Sequence, residues 1–161
     1  MVNKTDEKQF QIQQFYIKES TFEAPNVPTV FDAKNWDPKM QFEISANSKH
    51  VKEDWYEVVL RVKVTADSGE QRAFTCDLTQ AGLFIVKGFA EEEKKFILSG
   101  MCPNTLYAYA RKALSDMTVS GGFPPLLLAP MNFEAVYLQE MQKQKNAVKE
   151  KSSTLDSVTI H

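Results

Sequence analysis

DWYEVVLRVKVTA, Asp54 to Ala66, decides how this chain must fold. Tyr56, Val58, Leu60, Val62 and Val64 recur at every second position, and Trp55, Glu57, Val59, Arg61, Lys63 and Thr65 fill the places between. A period of two puts the first set on one face of a β-strand and the second on the other. The first face is wholly apolar and the second mixed, as in a sheet covered on one side and wet on the other. Downstream, Asp67, Ser68, Gly69 and Glu70 make a reverse turn. A strand then runs from Arg72 to Val86, with Phe74, Cys76 and Leu78 on one side and Thr75, Asp77 and Thr79 on the other. Gly82 is expected to end or kink it. Upstream, Met40, Phe42 and Ile44 alternate in a strand that ends at a turn of Asn47, Ser48 and Lys49, with His50 in a polar loop. Phe10, Ile12, Phe15 and Ile17 keep the period with one slip, which reads as an edge strand bulged between Ile12 and Phe15.

Between the first two strands lies EAPNVPTVFDAKNWDP, Glu23 to Pro38, whose prolines and turn formers specify a long crossover loop. Its apolar members are Val27, Val30, Phe31 and Trp36. Helices follow the strands. Glu91 to Leu98 is short and charged, with acids preceding Lys94 and Lys95 as the helix dipole favours, and reads as a solvated face. Pro103 opens a longer helix striped by Leu106, Ala110, Ala113, Leu114 and Met117 and stopped by Gly121 and Gly122. That mixture of small and large residues suits a close helix contact between subunits. Asn132 can cap a last helix in which Val136, Tyr137, Glu140 and Met141 share a side. Strands followed by helices specify an α+β fold, a four-stranded antiparallel sheet with helices packed on one face. The expected organisation is a flexible N-terminus over 1–9, one domain over 10–141 and a polar, frayed or disordered tail over 142–161.

GGFPPLLLAPMNFEAVYLQEM, Gly121 to Met141, crowds apolar residues around three prolines. Pro124, Pro125 and Pro130 hold their neighbours extended, so Leu126, Leu127 and Leu128 form an irregular strap ahead of the last helix. Two uses stay open: buried core, or the wall of a groove that takes foreign apolar chain.

Composition narrows the function. At 161 residues, 43% hydrophobic and 25% charged, the chain suits one ordinary globular domain. A net charge of -2 with scattered Lys and Arg argues against nucleic acid. No apolar run reaches membrane-spanning length and MVNKTDEKQF lacks the apolar core of a signal peptide, so a cytoplasmic protein without membrane insertion is expected. Cys76 and Cys102 each stand alone, and His50 and His161 have no site around them. Phosphate-loop, nucleophile-elbow and HExxH motifs are missing from the sequence. Catalysis, a metal and a cofactor are therefore not expected. What remains is aromatic: eleven Phe, five Tyr and two Trp, many of them in the crossover loop, the strap and the last helix.

TFEAPNVPTVF (21–31), DWYEVVLRVKVTA (54–66), QAGLFIVKG (80–88), MCPNTLYAYAR (101–111) and GGFPPLLLAPMNFEAVYLQ (121–139) together resemble the bacterial protein-export chaperone family SecB. The similarity runs in order from about Phe10 to Met141. The resemblance implies a cytosolic, ATP-independent holdase, a homotetramer built as a dimer of dimers, which keeps precursors of exported proteins unfolded and delivers them to the translocase motor SecA. It implies Val27, Phe31, Trp36, Leu126, Leu128, Phe133, Tyr137 and Met141 as the client groove, with the last helix as a lid. It further implies Glu19, Glu23, Thr75 and Asp77 as the motor contact, where Thr75 stands at a position family members often give to leucine. Cys76, Leu78 and Gln80, with Leu106, Ala110 and Leu114, are implied in assembly. Two other classes stay open: a SecB-like chaperone dedicated to a toxin–antitoxin partner, and a non-chaperone interaction domain whose strap is all core.

Overall fold

The computed structural model describes residues 7–158; the first six residues of the expected flexible N-terminus, and His161, lie outside them. Strands β1 (Gln9–Glu23), β2 (Lys39–Lys52), β3 (Trp55–Ser68) and β4 (Gln71–Lys87) form one antiparallel sheet in the order β1-β4-β3-β2. Helix α1 (Glu91–Phe96), a π-helical turn (Ile97–Met101) and α2 (Cys102–Ser120) follow without a break, and after the strap comes α3 (Phe133–Val158). The helices pack on one face of the sheet, as the strand-then-helix order requires.

Alternation in β3 and β4 builds the core. Val58, Leu60, Val62, Val64 and Ala66 of β3 are fully buried, as are Cys76, Leu78 and Phe84 of β4. Over them lie Leu106, Ala110 and Leu114 of α2, also fully buried. Each large side chain covered in this way contributes about 1.5–3 kcal/mol. Leu106, Ala110 and Leu114 of the α2 stripe thus face the sheet, while Ala113 and Met117 of the same stripe stay partly exposed. Cys76, Leu78 and Gln80 lie in the same seam. Gln80, 4% exposed, donates its amide to the Tyr16 carbonyl at 3.1 Å, next to a bulge in β1. Burial pushes the Cys76 and Cys102 thiols up to about 11 and about 12.

Several boundaries differ from expectation. β1 has the expected slip after Ile12, but a second between Ile17 and Glu19 lets it run on to Glu23. β2 does not turn at Asn47–Lys49, since those residues pair with Val59, Val58 and Glu57. The reversal falls at Glu53, where φ is 45°, and His50 is a strand residue opposite Tyr56. Cross-strand pairing with a well-formed β3 overrides the polar composition of that segment. Gly82 neither ends nor kinks β4. It is a site of close approach, because a Cβ there would come within 2.7 Å of the Phe84 ring and 3.1 Å of Leu106.

Pro103 lies inside a continuous helical run rather than at the start of a free helix. Its ring needs room against the preceding turn, and the π-helical turn just before it supplies that room. At the far end, α3 passes Met141 and continues helically to Val158, through the segment expected to fray. Lys, Glu and Gln there favour helix, and residues 142–153 are exposed because few of them are apolar.

We expect Gly82→Ala to destabilise the chain by about 1–3 kcal/mol, because the Phe84 ring is held by Phe10 and Phe15 and cannot retreat. Denaturant melts of the two proteins check this, and equal midpoints would contradict it.

Candidate functional site

The strap is extended by its prolines and tied to α2 at two points. The Leu126 N–H donates to Thr118 Oγ1 at 3.1 Å, and the Tyr107 hydroxyl donates to the Ala129 carbonyl at 2.5 Å. Pinned so, it points alternate leucines opposite ways. Leu126 and Leu128 enter the core, while Leu127 is 83% exposed. Phe133 is also core, its ring edge-on to Tyr107 at 5.6 Å.

Apolar residues that stay accessible gather in two places. In the first, the crossover loop meets the start of the strap. Phe123 is ringed by Phe22, Phe31, Trp36 and Phe74 at centroid distances of 6.2, 5.2, 5.4 and 5.0 Å. Phe123 and Phe74 are buried, Trp36 is half-buried, and Phe31 and Val27 present about half of their surface. Phe123 is the hub of this cluster, and the sequence reading did not single it out.

The second place is a groove of about 580 Å³ between α1 with its π-helical turn and the first turns of α3. Phe89, Phe96, Ile97 and Met101 form one wall, and Tyr137, Leu138 and Met141 the other. Glu92, Glu93, Lys95 and Lys145 stand around them. Asn132 caps α3 by accepting the Ala135 N–H on Oδ1 at 3.1 Å, which fixes the direction in which Tyr137 and Met141 project. Phe96 and Tyr137 face each other across the groove at 6.1 Å.

Of the eight residues expected to line one groove, Tyr137 and Met141 line this one, Phe31 and Trp36 belong to the aromatic cluster, Val27 lies in the same crossover loop, 40% exposed, and Leu126, Leu128 and Phe133 are core. The α1 wall was missed because its charges read as a solvated helix. A signal was present, since Phe89, Phe96, Ile97 and Met101 recur at helical spacing even though Glu92 and Glu93 are interleaved on the same face.

The opposite face of the sheet is polar at one end. Register places Glu19 beside Thr79, Thr21 beside Asp77 and Glu23 beside Thr75, so Glu19, Glu23, Thr75 and Asp77 share that face. β3 adds cations. Arg61 donates to Asp77 through Nε at 3.0 Å and Nη2 at 2.7 Å, and this forked pair, with Lys63 nearby, holds the Asp77 carboxyl below its usual range. Glu19 also acts on Arg61 through space. Among the described residues the Glu23 side chain has no hydrogen bond or ion pair. The patch therefore joins one paired and two freer carboxylates. Among the described residues no helix is long and apolar enough to cross a membrane.

Comparison with known proteins shows the family and the fold. Residues 3–144 match the family described as preprotein translocase subunit SecB. The protein-export protein SecB of Methylococcus capsulatus is 44% identical over 140 residues, which cover 87% of this chain and 90% of that one. Its counterpart from Hydrogenovibrio crunogenus is 41% identical over 150 residues, covering 93% and 100%. Among solved structures, a Mycobacterium tuberculosis SecB-like chaperone in complex with a ChAD peptide from the HigA1 antitoxin shares the fold. Its TM-score is 0.59 at 20% identity, covering 76% of this chain and 91% of that one.

Asp77 has its folded-state proton affinity lowered, so it contributes stability above the ordinary aspartate value of 3.8, and that contribution drains away as pH falls through the lower folded value. Asp77→Asn should therefore be less stable than the parent at pH 7, by a margin that closes as pH falls below 3.8. Melts from pH 7 to pH 2 read this, and a margin independent of pH would contradict it.

Proposed function

This chain belongs to the SecB family, and on that premise we propose that it is an ATP-independent holdase, which binds unfolded precursors of exported proteins and delivers them to the motor SecA. The family is one of protein-export chaperones. The observation that carries the finer reading is the groove between α1 and α3, an open apolar trough with both walls built on helices. Folded proteins have no free segment to lay in it. An unfolded chain has many, and each apolar anchor gains at most ~1.5–3 kcal/mol against ~1–2 kcal/mol for every client residue ordered. One groove thus holds a short segment weakly. We propose that the chain assembles as a homotetramer, a dimer of dimers, so that a long client occupies several grooves and each later contact forms at high effective concentration. The edge strand β1 and the outer side of α2, where Ile12, Ile17, Tyr109 and Val119 are 41 to 52% exposed, are surfaces we propose for that assembly. The working place we propose is the cytoplasm.

The motor contact is proposed for Glu19, Glu23, Thr75 and Asp77. Clients and motor would then meet opposite faces of one sheet and need not compete. Service to a toxin–antitoxin partner is the less favoured reading, because identity to the export proteins is above 40% across most of the chain, whereas the antitoxin-peptide chaperone shares 20%.

In the groove, Leu138→Ser with Tyr137→Ser should raise the dissociation constant for an unfolded precursor about tenfold or more, with little change in the denaturant midpoint, because Leu138 is 57% exposed. Leu126→Ser should instead cost ~2–5 kcal/mol of stability. Aggregation-suppression curves beside melts separate the two, and stability loss in step with lost activity in the groove variant would reject the groove as the client site.

Glu23→Lys should abolish the motor complex and leave client binding intact, and the parent complex should weaken with salt. Titration calorimetry at two ionic strengths measures both. A salt-independent complex, or loss of both activities together, would remove this face from the reading.

A further inference from the structure

α3 meets the rest of the chain through its first turns, and two residues outside the groove lining hold the first of them. Asn104, at the start of α2, accepts the Phe133 N–H on Oδ1 at 2.7 Å. That N–H is one of those a helix start leaves without an intrahelical partner. Gly100, in the π-helical turn, faces Glu134, and a Cβ on it would lie 3.0 Å from Glu134 Cα and 3.1 Å from Cγ. The backbones approach this closely only because residue 100 has no side chain. Farther along, the hold fades: Leu138 is 57% exposed and Val148 67%. A helix clamped at one end is a lever. Met141 lies about 10 Å along the axis from Glu134, so a small tilt at the clamp becomes a larger displacement at the groove mouth.

We propose that Asn104 and Gly100 are positioning residues that clamp the first turn of α3 and so set the width of the groove and the time a client segment stays in it. The second half of this proposal rests on the reading of that groove as the client site.

The test uses the full chain with Lys87→Cys and Lys149→Cys carrying spin labels, positions that are both exposed, while Cys76 and Cys102 are buried and take no label. Pulsed electron resonance between β4 and α3 reads the lever directly. Dissociation of fluorescent, reduced and carboxymethylated lactalbumin, measured on the unlabelled variants, reads residence time. Asn104→Ala is expected to broaden the distance distribution and speed dissociation roughly fivefold, within the range one net hydrogen bond is worth. Asn104→Asp keeps the acceptor, adds a charge that a helix start favours, and should restore both readouts. Gly100→Ala should shift the mean distance as Glu134 backs away. Unchanged distances in Asn104→Ala and Gly100→Ala overturn the proposal, and so does failure of Asn104→Asp to restore them. Moved distances with unaltered dissociation uphold the clamp and overturn the client reading of the groove. Should Asn104→Ala melt below the assay temperature, Gly100→Ala decides on the same two readouts.

Discussion

The close seating of α2 on β4 governs the rest of this structure. Gly82 leaves room for the Phe84 ring and Leu106, and Cys76 and Ala110 are small members of the same fully buried seam. Because α2 sits this low, Tyr107 and Thr118 reach the strap backbone, and Asn104 reaches the start of α3. The groove is thus defined by elements that each take their position from one helix–sheet contact. Interiors packed at crystal-like density transmit such constraints, since no element can shift without opening a void.

Placing every helix on one side divides the molecule chemically. The covered face spends its apolar residues on the core and on the groove. The open face keeps charge near Glu19, Glu23 and Asp77, balanced by Arg61 and Lys63. Under the proposed function this division gives apolar adhesion to a client and ionic recognition of a motor separate surfaces. The forked Arg61–Asp77 pair costs the patch part of its negative character and fixes the orientation of one carboxylate.

Much of this was legible in the sequence because period two is unambiguous in β3 and β4, where one face is wholly apolar. The extended strap followed from its prolines, and the cap of α3 from Asn132. What escaped depended on partners distant in sequence. Nothing local shows that Asn47–Lys49 will be held straight by Glu57–Val59, or that Gly82 faces Leu106. The α2 stripe was legible as an apolar face, but spacing shows which face is apolar and not what covers it, and here the sheet buries Leu106, Ala110 and Leu114. The same limit split the expected groove residues among groove, aromatic cluster and core. The strap leucines looked alike in sequence, yet Leu127 points away from its neighbours because an extended chain alternates.

The π-helical turn between α1 and α2 sets a phase. One extra residue in a turn rotates everything beyond it by about 100° about the helix axis. Phe96, before the turn, looks toward α3, whereas Leu106, Ala110 and Leu114, after it, look down on the sheet. One continuous helical run thus carries two apolar stripes aimed at different neighbours, with a π-helical turn of five residues between them. Losing one residue there would leave every side chain chemically unchanged and swing Glu92 and Glu93 relative to the trough, so in this stretch the count of residues matters as much as their kind.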